Sequence, residues 1–291
     1  MMPRSRITAA LPPAATLAVS KALDEVYQPL VKYLLGRATR LTTRPLIVGI
    51  SGGQGSGKTT TTKVLQSLIT TNTSRRCIGI SLDDFYLSAE GRARKANATG
   101  IEALSIRGPP GTHQTQRLLK VLARLHGSSS CNHELVLPRF DKALDTTVED
   151  ETFPALRPGD IFLLEGWCVA APPPPTDEST AALNSLDADL RFREFVDEEL
   201  RGDYSEIWSQ LDVHIHLQVP SWTCVLRWRQ DQEDELRRKV GGDGIDVKEF
   251  CRGYERITRR MLKSCPDEAD AVIFLGEDHS IAGCKIRIKA V

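Results

Sequence analysis

The 291-residue sequence lacks three features that would each indicate a particular class of protein. It has no apolar run near the roughly 20 residues that a membrane-spanning helix needs. Its 38 basic and 38 acidic residues cancel, so we expect neither a nucleic-acid nor an anionic-membrane partner. Its seven cysteines include no C-x-x-C pair. The odd total favours reduced thiols in a cytoplasmic protein over a disulfide or zinc framework.

A glycine-rich segment follows the first apolar run of the sequence. Residues 47–59 read Ile-Val-Gly-Ile-Ser-Gly-Gly-Gln-Gly-Ser-Gly-Lys-Thr and fit the pattern G-x-x-x-x-G-K-[ST]. Glycines can take positive φ, so successive backbone N–H groups face an anion, and the next helix adds its N-terminal dipole. The segment predicts a loop that holds a nucleoside triphosphate. The predicted contacts are Gly52, Gly53, Gln54, Gly55, Ser56, Gly57, Lys58, Thr59 and Thr60.

Apolar runs that suit buried parallel strands alternate with segments of helical periodicity. The predicted strands are residues 46–50, 77–82, 161–164, 213–219 and 271–275. This alternation predicts an α/β protein with the three-layer P-loop NTPase fold, a mainly parallel five-stranded sheet and helices on both faces. Residues 1–40 are predicted as a partly helical N-terminal extension, interrupted at Pro29, and residues 41–291 as a single domain.

Acidic side chains follow two of the predicted strands. The second strand ends in Asp83 and Asp84, at the edge where parallel sheets bind their ligands. We expect Asp83 to accept a hydroxyl proton during phosphoryl transfer, with Asp84 as the alternative. The third strand ends in Glu165, which is predicted to bind Mg²⁺ together with the Thr59 hydroxyl, while Lys58 reaches the terminal phosphates. The alternative for the acidic pair is a loop that caps a nearby helix.

Two polar turns are candidates for binding the phosphoryl acceptor. One spans residues 107–113 and could present a guanidinium, a hydroxyl and an imidazole to an anion, with Thr112 also capping the next helix. The other spans residues 138–142. The alternative for both is ordinary turn chemistry with solvated charges. The predicted acceptor residues are Asp84, Tyr86, Arg107, Thr112, His113, Arg139, Asp141 and Lys142.

Basic and imidazole side chains mark the fourth strand and the helix after it. Arg227 and Arg229 lie on that helix and could offset charge on the transferring phosphoryl group. They are two residues apart, so only one is expected to point inward, and pairing with Glu233 or Asp231 at the surface is the alternative. His214 and His216 share one face of the strand, where they are predicted as core histidines rather than as a metal pair.

Six segments, taken in order, resemble successive signatures of the D-glycerate 3-kinases and their bacterial and fungal kinase relatives. That group is similar in turn to the phosphoribulokinases, uridine kinases and pantothenate kinases. The resemblance implies ATP as the donor, Mg²⁺ as a cofactor and a small hydroxylated acceptor. It matches Asp83 to the catalytic carboxylate of the wider group, and Arg227 or Arg229 to its lid arginine. The segments are residues 52–59, 81–86, 107–113, 138–142, 164–167 and 221–229.

The sequence departs from that family pattern at two places near the expected acceptor. In the plant enzymes the second polar turn is followed by a loop with a Gly-Asp-Arg segment, whereas residues 143–150 here are acidic and contain no arginine. A proline-rich run also replaces a Gly-Phe sequence after Trp167. Both departures concern the identity of the acceptor more than the kinase chemistry.

These features predict an ATP-dependent kinase that phosphorylates an alcohol of a small metabolite, with D-glycerate to 3-phosphoglycerate as the leading reaction. A kinase for pantothenate, a nucleoside or a sugar phosphate is an alternative. An ATPase or assembly factor that acts on a macromolecule is a further one. A guanine-specific switch would carry an N-K-x-D segment, which the sequence lacks. The expected partner is a small hydroxylated acid, and the expected assembly is a monomer or homodimer.

Overall fold

A computed structural model describes residues 13–127, 134–240 and 244–287. Its main feature is a six-stranded sheet in the order β2-β5-β1-β6-β7-β8, with a separate two-stranded hairpin, β3-β4. The strands are β1 (Leu46–Gly52), β2 (Cys77–Ser81), β3 (Leu135–Asp141), β4 (Thr146–Phe153), β5 (Ile161–Glu165), β6 (Val213–Gln218), β7 (Ala271–Leu275) and β8 (Ile281–Ile286). The five predicted strands are confirmed, and they pair with one another in parallel.

Helices surround the main sheet, as the α/β prediction requires. They are α1 (Pro13–Ala22), α2 (Gln28–Arg40), α3 (Lys58–Asn72), α4 (Ala89–Thr99), α5 (Thr115–His126), α6 (Leu190–Arg201), α7 (Asp203–Ser209), α8 (Trp222–Val240), α9 (Val247–Cys251) and α10 (Glu255–Glu268). Strands β1 and β5 are buried along their whole length, which explains their continuous apolar sequence. Among the described helices, none is both long and apolar enough to cross a membrane.

The prediction of five strands missed the sixth, β8, which pairs antiparallel with β7 at the edge of the sheet. Its side chains are partly or fully exposed, so its sequence carries no continuous apolar run. The prediction also treated residues 143–150 as a loop, whereas residues 146–150 belong to β4. Strand β4 reads Thr-Thr-Val-Glu-Asp-Glu-Thr-Phe and is largely exposed, because the hairpin stands outside the main sheet.

The N-terminal segment is helical from Pro13 to Arg40, apart from one irregular turn, and residues 1–12 lie outside the described residues. A π-helical turn, Leu23–Tyr27, separates α1 from α2, and Pro29 lies in the first turn of α2. Because proline has no N–H to donate, it interrupts the regular helical ladder at this point. The predicted interruption at Pro29 is therefore confirmed. Leu30 and Leu34 are fully buried in the core.

Candidate functional site

The glycine-rich loop connects β1 to α3 at the carboxyl end of the central strand. Gly55 and Gly57 have φ of 75° and 86°, a conformation that side chains with a Cβ rarely adopt. A Cβ added to Gly55 would also lie 2.8 Å from the Cβ of Trp228. Helix α3 begins at Lys58, with Gly57 as its N-cap, and Thr59 and Thr60 follow in its first turn. The sequence therefore forms the strand, turn and helix N-terminus that an anion-binding loop needs.

Several polar atoms of this loop are buried without a partner. Both amide atoms of the Gln54 side chain and the Ser56 hydroxyl lack a hydrogen bond within the described part of the chain. The Lys58 ammonium donates to the Gly53 carbonyl at 3.0 Å. Burial lowers the pKa of Lys58, and the charges of Glu165 and Asp83 oppose that shift. A phosphate could supply acceptors for the unpaired donors and a counter-charge for the lysine.

The predicted Mg²⁺ ligands come together beside the loop. The Thr59 hydroxyl donates to the Glu165 carboxylate at 2.7 Å, although the two residues are 106 positions apart. The pairing of β1 with β5 brings them together, because it sets Ile50 opposite Glu165. Burial raises the pKa of Glu165, and the nearby Lys58 charge lowers it in part. A carboxylate and a hydroxyl are the hard oxygen donors that Mg²⁺ prefers, so this pair fits that ion.

The two adjacent aspartates after β2 have different contacts. Lys142 contacts the Asp83 carboxylate at 2.5 Å. Burial alone would raise the pKa of Asp83, but the charges of Lys142, His113 and Lys58 outweigh it and hold the pKa below its usual value. Asp83 is therefore ionised at neutral pH and lies within electrostatic reach of the lysine of the phosphate loop.

Asp84 instead caps the 3₁₀ turn that follows β2. Its carboxylate accepts from the backbone N–H groups of Ser81 and Phe140, both at 3.3 Å. The Ser81 hydroxyl accepts in return, which completes a capping box. The geometry thus distinguishes the two acids, because Asp84 holds the loop while Asp83 faces two lysines. Asp84 therefore has the capping role that was the alternative for the acidic pair. Asp83 remains the predicted proton acceptor.

An aromatic cluster lies beside Asp83. The ring of Tyr86 stacks on His113, with centroids 4.4 Å apart and planes at 20°. His113 Nδ1 is hydrogen-bonded to the Tyr204 hydroxyl at 2.6 Å, while its Nε2 is buried without a partner in the described residues. Burial lowers the pKa of His113 to about 4, so the imidazole is neutral at pH 7. Its free Nε2 could bond to a ligand.

The first polar turn places its residues differently from the prediction. Thr112 was expected to cap the next helix, but α5 begins at Thr115 with Gln114 as the N-cap. This expectation is wrong, because the fully buried Thr112 hydroxyl donates to the Pro109 carbonyl and accepts from the Gly108 N–H instead. Its hydroxyl therefore shapes the turn rather than reaching a ligand. Arg107 projects its guanidinium toward the hairpin and contacts Asp145 at 2.7 Å.

The second polar turn lies at the tip of the β3-β4 hairpin. Asp141 accepts from the N–H groups of Ala143 and Leu144 at 2.8 and 3.0 Å, so it serves the turn itself. Arg139 is half exposed and pairs with Glu151 at 3.4 Å and with Asp84 at 3.7 Å. Lys142 is the member of this turn that contacts Asp83. The hairpin therefore brings Lys142 and Arg139 to the two adjacent aspartates.

The two arginines of α8 diverge, as their spacing predicts. Arg229 pairs with the buried Glu233 at 3.1 Å, which is the alternative considered from the sequence. Arg227 contacts the Glu277 side chain at 3.8 Å. It borders a cleft of about 430 Å³ next to the phosphate loop, which sequence reasoning did not identify. The cleft is lined by Arg227, Trp228, Asp231, Glu277, Asp278 and His279.

His214 and His216 pack beneath the central strands. Each is hydrogen-bonded to the Ser51 hydroxyl, at 2.7 and 2.8 Å. Burial lowers the pKa of His216 to about 3. The Cys265 thiol, from α10, is the third potential ligand that spacing alone did not supply, with the ligand atoms within 4.8 Å of one another. The shared hydroxyl holds the buried His216 and the half-buried His214 in place, while His216 Nε2 has no partner in the described residues.

Two further charged residues adjoin the site and were missed by sequence reasoning. Arg92 of α4 and Asp145 of the hairpin turn form an ion pair beside Arg107. Neither belongs to a recognisable motif, and Arg92 lies in a helix whose sequence is mostly polar. The contact joins residues 53 positions apart, so only the tertiary structure reveals it.

A parallel sheet of this strand order, with a phosphate loop after its central strand, defines the chain as a P-loop kinase-type α/β protein. The structure of D-glycerate 3-kinase from Cryptococcus neoformans has the same fold, with a TM-score of 0.74 and 23% identity over 90% of this chain and 99% of that one. The chain is similar to the D-glycerate 3-kinases and related P-loop kinases.

Two relatives support that similarity at the level of sequence. The chloroplastic D-glycerate 3-kinase of Arabidopsis thaliana is 30% identical over 219 residues, which are 72% of this chain and 46% of the plant protein. The chain thus spans just under half the length of that relative. The uncharacterized kinase mug58 of Schizosaccharomyces pombe is 29% identical over 255 residues, 80% of this chain and 86% of that protein. No protein-family model matches the chain.

Proposed function

We propose that the chain is an ATP- and Mg²⁺-dependent kinase that transfers the γ-phosphoryl group to an alcohol of a small hydroxylated acid. D-glycerate, phosphorylated to 3-phosphoglycerate, is the leading acceptor. The observation that carries the proposal is the position of ionised Asp83, paired with Lys142 and close to the phosphate-loop Lys58. A carboxylate beside a triphosphate loop suits proton transfer from an alcohol. The name of the plant relative supports glycerate as the first acceptor to test.

On the donor side, the loop N–H groups and Lys58 bind the β- and γ-phosphates. The Thr59 hydroxyl and the Glu165 carboxylate would hold Mg²⁺, which when bound neutralises charge on the phosphates. Lys58 leaves its contact with the Gly53 carbonyl and bonds to phosphate oxygens. The cleft beside Arg227 is open to the nucleoside, and Arg227 can then swing toward the transferring group.

On the acceptor side, Asp83 orients the acceptor's hydroxyl and takes its proton as the oxygen attacks the γ-phosphorus, while the bond from that phosphorus to the β–γ bridging oxygen breaks and ADP leaves. Because its pKa lies below the usual range, Asp83 is ionised at neutral pH, which is the form that can take a proton. Arg107, His113, Arg139 and Lys142 are the candidates for binding the acceptor's carboxylate. Of these, His113 offers a buried unpaired Nε2, and Arg107 and Lys142 offer charges near Asp83.

The proposal is tested by measuring ADP release from ATP and Mg²⁺ with one acceptor at a time. The panel is D-glycerate, pantothenate, uridine, ribulose 5-phosphate and glycerol, with mass spectrometry of the product. We expect D-glycerate to give the highest kcat/KM and a singly phosphorylated product. Turnover of another member of the panel would support kinase activity and identify that compound, instead of D-glycerate, as the acceptor. If no acceptor stimulates ADP release and no phosphorylated product forms, the proposed kinase activity is wrong. That result would favour an ATPase that acts on a macromolecule.

A further inference from the structure

Asp145 joins two arginines from separate parts of the chain. One carboxylate oxygen accepts from the Arg107 guanidinium at 2.7 Å, and the other contacts the Arg92 guanidinium. Asp145 is in the left-handed region, with φ of 51°, which is uncommon for a residue with a side chain. Its side chain is 39% exposed, so the position that Asp145 occupies between the two arginines is accessible to solvent.

Arg92 is held in place independently of Asp145, whereas Arg107 is anchored through its backbone. Arg92 is 2% exposed and donates to the carbonyls of Ser105 and Leu87 at 3.1 and 2.6 Å. The backbone of Arg107 accepts from the Tyr254 hydroxyl at 3.3 Å. The Arg92 guanidinium, fixed by these contacts, loses little further freedom when it binds a carboxylate. Arg92 is therefore the preformed half of a carboxylate site, Arg107 completes the site, and Asp145 is the carboxylate that occupies it.

The same turn also controls the candidate base. Lys142 lies three residues before Asp145 and contacts Asp83. Asp141 accepts from two backbone N–H groups inside this turn, which holds the segment together. Lys142 and Asp145 therefore move with one turn, and their contacts with Asp83 and with the arginines are formed or lost together.

We propose that Arg92 and Arg107 bind the carboxylate of the acceptor, and that Asp145 is an internal competitor which the acceptor displaces. The inference rests on the proposed function, since it takes the acceptor to be a hydroxylated acid. Displacement of Asp145 moves the turn and withdraws Lys142 from Asp83, so that the base is freed when the acceptor arrives. The apparent affinity for the acceptor is lowered by the fraction of molecules in which Asp145 holds the site.

The test is calorimetric titration of D-glycerate into the full chain with Mg²⁺ and a non-hydrolysable ATP analogue. Asp145→Asn, which removes the competing charge, is expected to lower the Kd for D-glycerate roughly fivefold. Arg107→Gln is expected to raise it about tenfold. Glu149→Gln is the matched control, because it removes an exposed acid of the same hairpin that takes no part in these ion pairs. Glycerol, which has no carboxylate, should bind equally to all four proteins.

Unchanged or weaker binding of D-glycerate to Asp145→Asn overturns the inference, as does an equal gain in Glu149→Gln. The absence of D-glycerate binding in every protein also overturns it. The proposed function is tested separately by product formation. Turnover of an acceptor without a carboxylate would support kinase activity and contradict the carboxylate site. Binding of D-glycerate that depends on Asp145, without any turnover, would support the carboxylate site and contradict kinase activity.

Discussion

The donor and acceptor sides of the site are built in different ways. The donor side comes from one continuous stretch, residues 52–60, with one acid from the neighbouring strand. The acceptor side draws on segments around residues 83–92, 107–113 and 139–145, which meet only in the folded chain. The local sequence is therefore enough to specify most of the donor side. The acceptor side instead depends on how a hairpin and two loops pack together.

The two sides also differ in how their polar groups are satisfied. The donor side has buried polar atoms without partners in the described residues, at Gln54 and Ser56. The acceptor side is already paired internally, through the contacts of Lys142 with Asp83 and of Asp145 with Arg107. A ligand can enter the donor side without breaking an ion pair, but it must exchange ion pairs on the acceptor side. We therefore expect ligand specificity to be set on the acceptor side, and the following variants examine this contrast.

The largest effect is expected from Lys58→Ala, which removes the positive charge of the donor side. We expect kcat/KM for ATP to fall by about 10³-fold, because the phosphates lose a buried charge that strengthens in the transition state. Lys63→Ala is the matched control, since Lys63 is an exposed lysine of the same helix. Steady-state kinetics and the melting temperature of each variant give the measurement. An equal loss in both variants would show that the effect is not specific to the loop.

A smaller loss is expected from Asp83→Asn on the acceptor side. The amide cannot take the acceptor's proton, so kcat should fall by about 10²-fold while the fold is kept. Asp84→Asn should leave kcat nearly unchanged and lower the melting temperature, since Asp84 binds backbone N–H groups rather than lysines. Measuring kcat and thermal unfolding for both variants separates these roles. A greater loss of kcat in Asp84→Asn would reverse the assignment.

The same contrast explains what could be predicted from the sequence. The five buried parallel strands and the phosphate loop follow from apolar runs and from glycine, and the structure contains all of them. Strands β4 and β8 lack such a signal, because they are largely exposed, outside the sheet or at its edge. Thr112 was read as a helix cap because its residue type suits one, yet the helix begins three residues later.

The acceptor side shows where the sequence alone is insufficient. Residue type could nominate both Asp83 and Asp84, and the structure separates them by their partners. In the sequence, residues 143–150 differ from the family pattern because they are acidic and contain no arginine. Its meaning depends on Asp145 reaching Arg92 and Arg107, which are 53 and 38 positions away. No local periodicity specifies contacts of that range, so the arginine pair could not be predicted.

The smallest effect concerns acid stability, and it compares one buried histidine on each side. His113 on the acceptor side has its pKa lowered to about 4, and His216 beneath the donor strand to about 3, both chiefly by burial. Between the unfolded pKa of about 6.5 and these values, the unfolded chain binds protons that the folded chain does not. Stability should therefore fall as the pH is lowered through that window.

For His113 alone, the linkage amounts to about 2 kcal/mol of unfolding free energy lost between pH 7 and pH 5. His113→Gln should flatten the pH dependence by that amount, and His216→Gln should flatten it by a similar amount. His126→Gln, at the exposed end of α5, should change it little and serves as the control. Urea unfolding at pH 7, 6 and 5 gives the slopes. If His113→Gln keeps the slope of the unaltered chain, the pKa of His113 does not change on folding, and burial does not hold its imidazole neutral below the unfolded pKa.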